Sequence, residues 1–137
     1  MGIMRLSLEA KTDLAMRALW LLEENETIAP AKRLAPDLGT TTHYLPHVMK
    51  PLIEAGWVAS EPGPRGGYRL SVPLESVNVL ELVEACEGPV DNQKCVLKGG
   101  PCGGSETCAL HTPWMEARTS LMERLASISI SDARDKE

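Results

Sequence analysis

The first quarter of the chain has apolar residues on one side of a predicted helix. In the stretch LEAKTDLAMRALWLLEEN, the positions that share one helical stripe are Leu8, Leu14, Ala15, Ala18, Leu19 and Leu22. This spacing predicts an amphipathic helix with its apolar stripe on a core, and Ser7 or Thr12 is the expected cap at its start. Charged residues stand among the first apolar ones and no small-residue cleavage site follows, so we do not expect a signal peptide.

Two shorter helices follow, joined by a turn. The first is predicted to begin near Pro30, because proline suits a first helical turn, and to end at Gly39, a natural position for a left-handed residue. The second is predicted to run from candidate caps at Thr40–Thr42 through HYLPHVMKPLIEA to Gly56. Two helices joined by a short turn near a glycine are typical of a helix-turn-helix.

A hairpin is predicted directly after the second helix. Trp57 and Val58 begin a strand, EPGPRGG has dense turn chemistry, and YRLS is the returning strand before Pro73. The fold class expected is therefore mainly α with a small β-hairpin wing: a winged helix-turn-helix.

The second half adds two helices. In VNVLELVEACEG one side is apolar, at Val79, Leu82, Val83 and Cys86, and the last helix begins near Pro113 with apolar positions 114, 115, 121, 122, 125 and 128. A long terminal helix with an apolar stripe predicts a two-fold dimer interface. The alternative is that this helix packs back on its own domain.

These elements divide the chain into four parts. We expect a winged helix-turn-helix at 4–73, a linker helix with a cysteine-rich loop at 74–111, a dimerisation helix at 112–130 and a disordered tail at 131–137.

Charge limits where a polyanion could bind. The net charge is −5, but residues 1–70 carry eight basic and eight acidic side chains, so the whole excess lies in the second half. The first half is the only plausible site for nucleic acid. No apolar run approaches the roughly 20 residues of a membrane span, and we expect a cytoplasmic protein in which disulfides are disfavoured.

Helix-turn-helix proteins place the start of the second helix against base edges. The residues predicted there are Thr41, Thr42, His43, Tyr44 and His47. Arg65 at the wing tip is expected to enter the minor groove, and Lys50 and Lys32 to meet phosphates. The alternative is a protein–protein module with the same three helices, in which these are solvated polar residues.

The stretch KCVLKGGPCGGSETCALH contains the candidate metal ligands Cys95, Cys102, Cys108 and His111. Structural zinc sites usually contain a close ligand pair, which only Cys108 and His111 provide. Three thiolates with one weaker ligand suit an iron–sulfur cluster, while zinc and redox thiols remain alternatives. Cys86 stands apart on a helix face, where we expect it to be buried packing.

Several stretches together resemble the Rrf-two-type winged helix-turn-helix regulators, a family that includes NsrR-, IscR- and RirA-like iron–sulfur sensors. They are MRLS, TDLAMRAL, TTTHYLPHVMKPLIEAGWV, GPRGGYRL, VNVLELVEACEGP and the three-cysteine loop, and they cover almost the whole chain. The resemblance implies a homodimeric DNA-binding transcription factor, usually a repressor, whose operator affinity is controlled by a cluster that senses nitric oxide, redox or iron status.

The same resemblance implies a ligand set. Cys95, Cys102 and Cys108 would hold the cluster, with [4Fe–4S] favoured, [2Fe–2S] as an alternative and zinc less favoured. Two residues compete for the fourth position: His111 matches the ligand of IscR-type loops, and Asp13 matches the NsrR-type acid that reaches the cluster from the partner subunit. The close match of TDLAMRAL favours Asp13.

Other functions predict different chemistry. A winged-helix regulator with a zinc or thiol-redox loop would keep the DNA contacts, whereas an adaptor protein would not bind DNA. We do not expect an enzyme, because the sequence has no nucleophile–base motif, phosphate loop or carboxylate pair at a meaningful spacing.

Overall fold

The computed structural model describes residue 2 and residues 6–25, 27–89 and 109–134. These residues form five α-helices and one antiparallel hairpin, which in chain order are α1 (Ala10–Glu24), α2 (Ala31–Leu38), α3 (Leu45–Glu54), β1 (Val58–Glu61), β2 (Gly67–Leu70), α4 (Val79–Glu87) and α5 (His111–Ala126). A short 3₁₀ turn, Leu74–Ser76, connects the hairpin to α4. The predicted winged helix-turn-helix class is confirmed.

Helix α1 buries most of the predicted stripe but starts later than expected. Glu9 is its N-cap residue and makes no side-chain cap, so neither Ser7 nor Thr12 caps the helix. Leu8 precedes the helix and is exposed, because the helix that carries the stripe begins only at Ala10. Thr12 is instead a buried polar residue in the first turn.

The helix-turn-helix follows the predicted punctuation closely. Pro30 is the N-cap residue of α2, and Gly39 ends that helix with a φ of 71°, a left-handed conformation that favours glycine. Helix α3 begins at Leu45 rather than at the threonines, because residues 42–44 form a turn. The Thr41 hydroxyl still accepts a hydrogen bond from the Tyr44 amide at 3.0 Å, which stabilises that turn.

The wing is a four-residue pair of strands, with Val58 opposite Leu70 and Glu61 opposite Gly67. A third segment docks on its far side: Ala29 and Tyr68 exchange two backbone hydrogen bonds, of 2.8 and 2.9 Å. The wing is therefore fixed to the segment that enters α2.

One core holds these elements together. It is built mainly from leucine, valine and alanine of α1–α4, and includes the predicted α4 face of Val79, Leu82, Val83 and Cys86. Helix α4 starts in a capping box, in which the Asn78 side chain accepts from the Glu81 amide and the Glu81 carboxylate accepts from the Asn78 amide.

The segment after α5 returns to the core, which differs from the predicted disordered tail. Residues 131–134 form turns, and Ile130 just before them is fully buried. The Ile130 amide donates to Val77 and its carbonyl accepts from the Trp20 indole, at 2.8 and 2.9 Å. Polar composition suggested disorder, but Ala133 packs on the core and Arg134 forms an ion pair with Glu24; residues 135–137 lie outside the described ones.

Candidate nucleic-acid interface and sensory loop

The start of α3 presents polar side chains to solvent. Each of the five predicted base-reading residues is exposed: Thr41, Thr42, His43, Tyr44 and His47. The opposite side of α3 is buried in the core through Leu45, Val48, Met49 and Leu52. The core thus buries one side of the helix while its polar side stays open, which is what a helix entering a DNA groove requires.

Two of these side chains contact each other. The rings of Tyr44 and His47 lie 5.7 Å apart between centroids, at a tilt of 37°. Lys50, one turn further on, forms an exposed ion pair with Glu54 at 3.9 Å. A phosphate that binds Lys50 must therefore compete with a neighbouring carboxylate.

An open cavity of about 530 Å³ lies where α3 meets α1 and α4. Its walls carry Lys11 of α1 and Ala85 of α4, together with side chains of α3 and the turn before it: His43, Tyr44, His47, Lys50, Pro51 and Glu54. Sequence reasoning did not predict a contribution from Lys11.

The wing carries two arginines rather than one. Arg65 is exposed between the two strands, and it shares an open cavity of about 600 Å³ with Arg69, which is on β2. Arg69 also pairs with Glu61 across the hairpin at 3.9 Å. Lys32 lines a separate cavity between α2 and the wing. Burial raises the pKa of the Tyr68 phenol, so the phenol keeps its proton further into the alkaline range.

The cysteine loop lies between α4 and α5, and its three predicted ligands, Cys95, Cys102 and Cys108, are outside the described residues. The chain enters the loop beside α1. A Glu87 carboxylate oxygen accepts hydrogen bonds from the Thr12 hydroxyl at 2.5 Å and from the Glu9 amide at 3.2 Å. The last residue of α4 is thereby joined to the first turn of α1.

Cys86 is buried at this junction, as the sequence predicted. Burial raises the pKa of its thiol, and the nearby Lys11 ammonium opposes that rise without cancelling it. A buried neutral thiol is suited to packing rather than to metal ligation.

The two candidates for the fourth ligand differ in setting. The Asp13 side chain is 67% exposed and receives a hydrogen bond of 3.4 Å from Arg17. The other end of that guanidinium donates to the Leu38 carbonyl at the end of α2, at 2.9 Å. His111 is the first residue of α5 and is half-buried.

The donor set fits an iron–sulfur cluster in its chemistry: three thiolates with one carboxylate or imidazole. Within the described residues, no group of three or more His, Cys, Asp or Glu side chains could hold a metal ion. None of the described helices is long and apolar enough to cross a membrane.

Three features near the site were missed from sequence: Lys11 in the cavity, Arg17 on the Leu38 carbonyl, and Glu87 on Thr12. Arg17 stands four residues after Asp13, a spacing that predicts the ion pair between them. No local signal predicts the Thr12–Glu87 contact, because 75 residues separate its partners.

The fold and the exposed side of α3 define a winged helix-turn-helix protein. A model of the Rrf2 family, described as "Iron-dependent Transcriptional regulator", matches residues 8–136. The chain therefore belongs to the Rrf2 family.

Its relatives include two proteins named HTH-type transcriptional regulator IscR. The one from Vibrio campbellii is 31% identical over 111 residues, covering 81% of this chain and 66% of the relative. The one from Aliivibrio salmonicida is 31% identical over 128 residues, covering 93% and 72%. The matched part of the chain thus spans just under two thirds of the first relative's length.

Solved structures show the same fold. CymR, the global cysteine regulator of B. subtilis, superposes with a TM-score of 0.72 at 25% identity, covering 93% of this chain and 95% of CymR. IscR of T. potens superposes with a TM-score of 0.72 at 24% identity, covering 96% and 88%.

Proposed function

We propose that this protein is a homodimeric, cytoplasmic transcriptional regulator that binds operator DNA with α3 in the major groove and the wing beside it. The single observation that carries the proposal is the exposed polar start of α3, whose opposite side is locked into the core. Family membership supports it, and the relatives named above are regulators rather than enzymes.

Each exposed group has a chemical role in this proposal. Thr42, His43 and His47 supply hydroxyl and ring N–H groups for base edges. The Thr41 hydroxyl accepts from the Tyr44 amide and keeps its own O–H for a phosphate. Arg65 reaches the minor groove from the wing.

We further propose that Cys95, Cys102 and Cys108 hold an iron–sulfur cluster, with Asp13 of the partner subunit as fourth ligand and His111 as its competitor. When bound, the group would supply a centre that nitric oxide, oxygen or iron shortage can alter. The exposure of the Asp13 carboxylate supports this choice, because a ligand offered to a second subunit must lie on the surface.

We propose that two described contacts pass a change in the loop to the helix-turn-helix, of which α2 is the first helix. Glu87 joins the loop's entry to the first turn of α1, and Arg17 joins α1 to the end of α2. A shift of either contact would move the helix-turn-helix of one subunit relative to that of the other subunit. This movement would act as a switch only if the protein with the cluster and the protein without it differ in DNA affinity.

Anaerobic purification with iron and sulfide analysis tests the cluster, and fluorescence anisotropy of a duplex selected from a random pool tests DNA binding. We expect a coloured protein whose DNA affinity changes when the cluster is removed. Colourless protein without iron after anaerobic reconstitution would overturn the cluster. Absence of salt-dependent DNA binding would overturn the regulator and favour an adaptor.

The fourth ligand is tested by absorption spectra of Asp13→Ala and His111→Ala, with Glu23→Ala as a matched loss of an exposed α1 carboxylate. We expect Asp13→Ala to change the spectrum and stability of the cluster, and Glu23→Ala to leave both unchanged. If only His111→Ala destroys the cluster, the choice of Asp13 is wrong.

A second function keeps DNA binding but gives the loop zinc or redox thiols. The sequence favours it through Cys108 and His111, which form a close ligand pair of the kind that structural zinc sites usually contain. It predicts stoichiometric zinc, or an oxidation-dependent gel shift in metal-free protein.

A further inference from the structure

The cavity between α1, α3 and α4 joins the proposed reading helix to the helix that carries Asp13. Lys11 and Asp13 are two residues apart in the first turn of α1, which places them on opposite sides of the helix. Asp13 is directed toward Arg17 and α2, whereas Lys11 lines the cavity at α3.

The charges of this cavity suit an anion. Its walls carry two ammonium groups, Lys11 and Lys50, and the ring N–H groups of two histidines, against the single carboxylate of Glu54. Glu54 is already paired with Lys50. None of the ion pairs given for the described residues includes Lys11, although Glu9 and Glu87 act on the same Cys86 thiol as Lys11 does. An anion between the two lysines would therefore give Lys11 a charged partner.

We infer that this cavity binds one backbone phosphate of the DNA that α3 reads, with Lys11 as its main cation; the inference rests on the proposed DNA binding. Lys50, His43 and His47 line the same space and lie on or just before α3, so a phosphate there is flanked by the residues proposed to read bases. Lys11 thus ties operator binding to the first turn of α1.

The proposed contact between Lys11 and a DNA phosphate gives the junction of α1 and α4 a direct role in DNA affinity. Ala85 lines the cavity two residues before Glu87, whose carboxylate holds Thr12 and the Glu9 amide. If the loop's entry moved, the contacts of Glu87 would carry α1 with α4, and Lys11 would then shift relative to α3. The sensing loop then acts on a phosphate contact as well as on the spacing of the two reading helices.

Salt dependence of DNA binding tests the inference on the full chain. Anisotropy is measured with a duplex selected by the wild-type protein from a random pool, across a chloride titration. Lys11→Gln should bind several-fold more weakly, with a salt slope shallower by about 0.9 for each protomer on the duplex. Lys11→Arg should restore both, and Glu54→Gln should bind more tightly because it removes the carboxylate beside the site.

Arg134→Gln is the matched control, because it removes a basic group paired with Glu24 at the far end of α1; its slope should equal that of wild type. Wild-type binding without any effect of Lys11→Gln on the slope would overturn this inference alone. Absence of wild-type binding would overturn the proposed function itself.

A competition arm separates a DNA phosphate from a free one. Inorganic phosphate, compared with chloride at equal ionic strength, should weaken DNA binding of wild type and Lys11→Gln equally. Specific competition against wild type, together with an unchanged salt slope in Lys11→Gln, would show that the cavity takes a free anion and would overturn the inference.

Discussion

Thr12 and Cys86 show how polar side chains are buried at the junction of α1 and α4. Thr12 is only 1% exposed, and its hydroxyl is satisfied by Glu87 rather than by a cap of its own helix. Cys86 is 7% exposed and carries no charge to satisfy while it stays protonated. Burial without an unpaired polar atom keeps this junction well packed beside the loop.

Cys86 should react slowly with alkylating reagents in the native protein. Burial raises the pKa of its thiol, and the thiolate is the reactive form. Iodoacetamide labelling near neutral pH, followed by mass spectrometry of peptides, should leave most of Cys86 unmodified while urea-unfolded protein is labelled fully. Equal labelling rates in the two states would contradict the buried position.

The raised pKa of the Cys86 thiol also predicts how the free energy of unfolding changes with pH. Because the folded thiol has the higher pKa, its contribution is fully present below about pH 8.5, where the unfolded thiol is protonated, and is lost as pH rises through the folded value. The difference in unfolding free energy between wild type and Cys86→Ala, measured in urea, isolates the contribution of this thiol. It should grow smaller as the solution becomes more alkaline.

The wing depends on glycine for close approach rather than for a turn alone. A Cβ on Gly67 would lie 2.2 Å from the Ala29 carbonyl oxygen, which accepts the Tyr68 amide. At Gly63, by contrast, a Cβ would meet nothing within 4 Å, although its φ of 97° still favours glycine. Gly67 also has a φ of 156°, so a side chain there is strained as well as too close to Ala29. The close approach is therefore measured by how far the effect at Gly67 exceeds the effect at Gly63.

Gly67→Ala should detach the wing from the segment before α2. We expect a loss of about 2 kcal/mol in the free energy of unfolding, because backbone must move to admit the methyl group, and weaker DNA binding because Arg65 is displaced. Gly63→Ala is the control and should cost about 1 kcal/mol from strain. Urea unfolding and anisotropy measure both; equal effects of the two variants would contradict the docking argument.

The local sequence pattern predicted the helices and strands, whereas the roles of several side chains depend on contacts between distant segments. The stripe from Ala15 to Leu22 and the α4 face followed from periodicity, because each helix buries one side. Leu8 satisfies the same period but lies outside the helix and is exposed. The roles of Thr12 and Lys11 depend on α4 and α3, which pack on α1 from later in the chain, so no local window of sequence contains them.

In the C-terminal part of the chain, the segment after α5 is buried in the core, whereas α5 itself is largely exposed. Ile130 is fully buried and hydrogen-bonded to Val77 and Trp20, so the segment after α5 belongs to the folded body. Helix α5 itself has no buried residue. It is attached at its end through Leu125, which packs on the core, while large apolar side chains further up the helix stay exposed, among them Trp114 and Leu121.

That exposed stripe should bury itself against the stripe of a second copy, as expected for a two-fold interface between identical helices. Leu121 is 57% exposed, so Leu121→Asp should change the stability of a single chain by no more than about 0.5 kcal/mol. A carboxylate facing its own copy across the axis should nevertheless convert dimer to monomer and weaken DNA binding, because two linked reading helices are needed for two half-sites. Light scattering after gel filtration measures the mass.

Ser120→Asp adds the same charge about 100° away around the helix and should remain dimeric. A dimer that persists in Leu121→Asp would show that α5 does not form the interface.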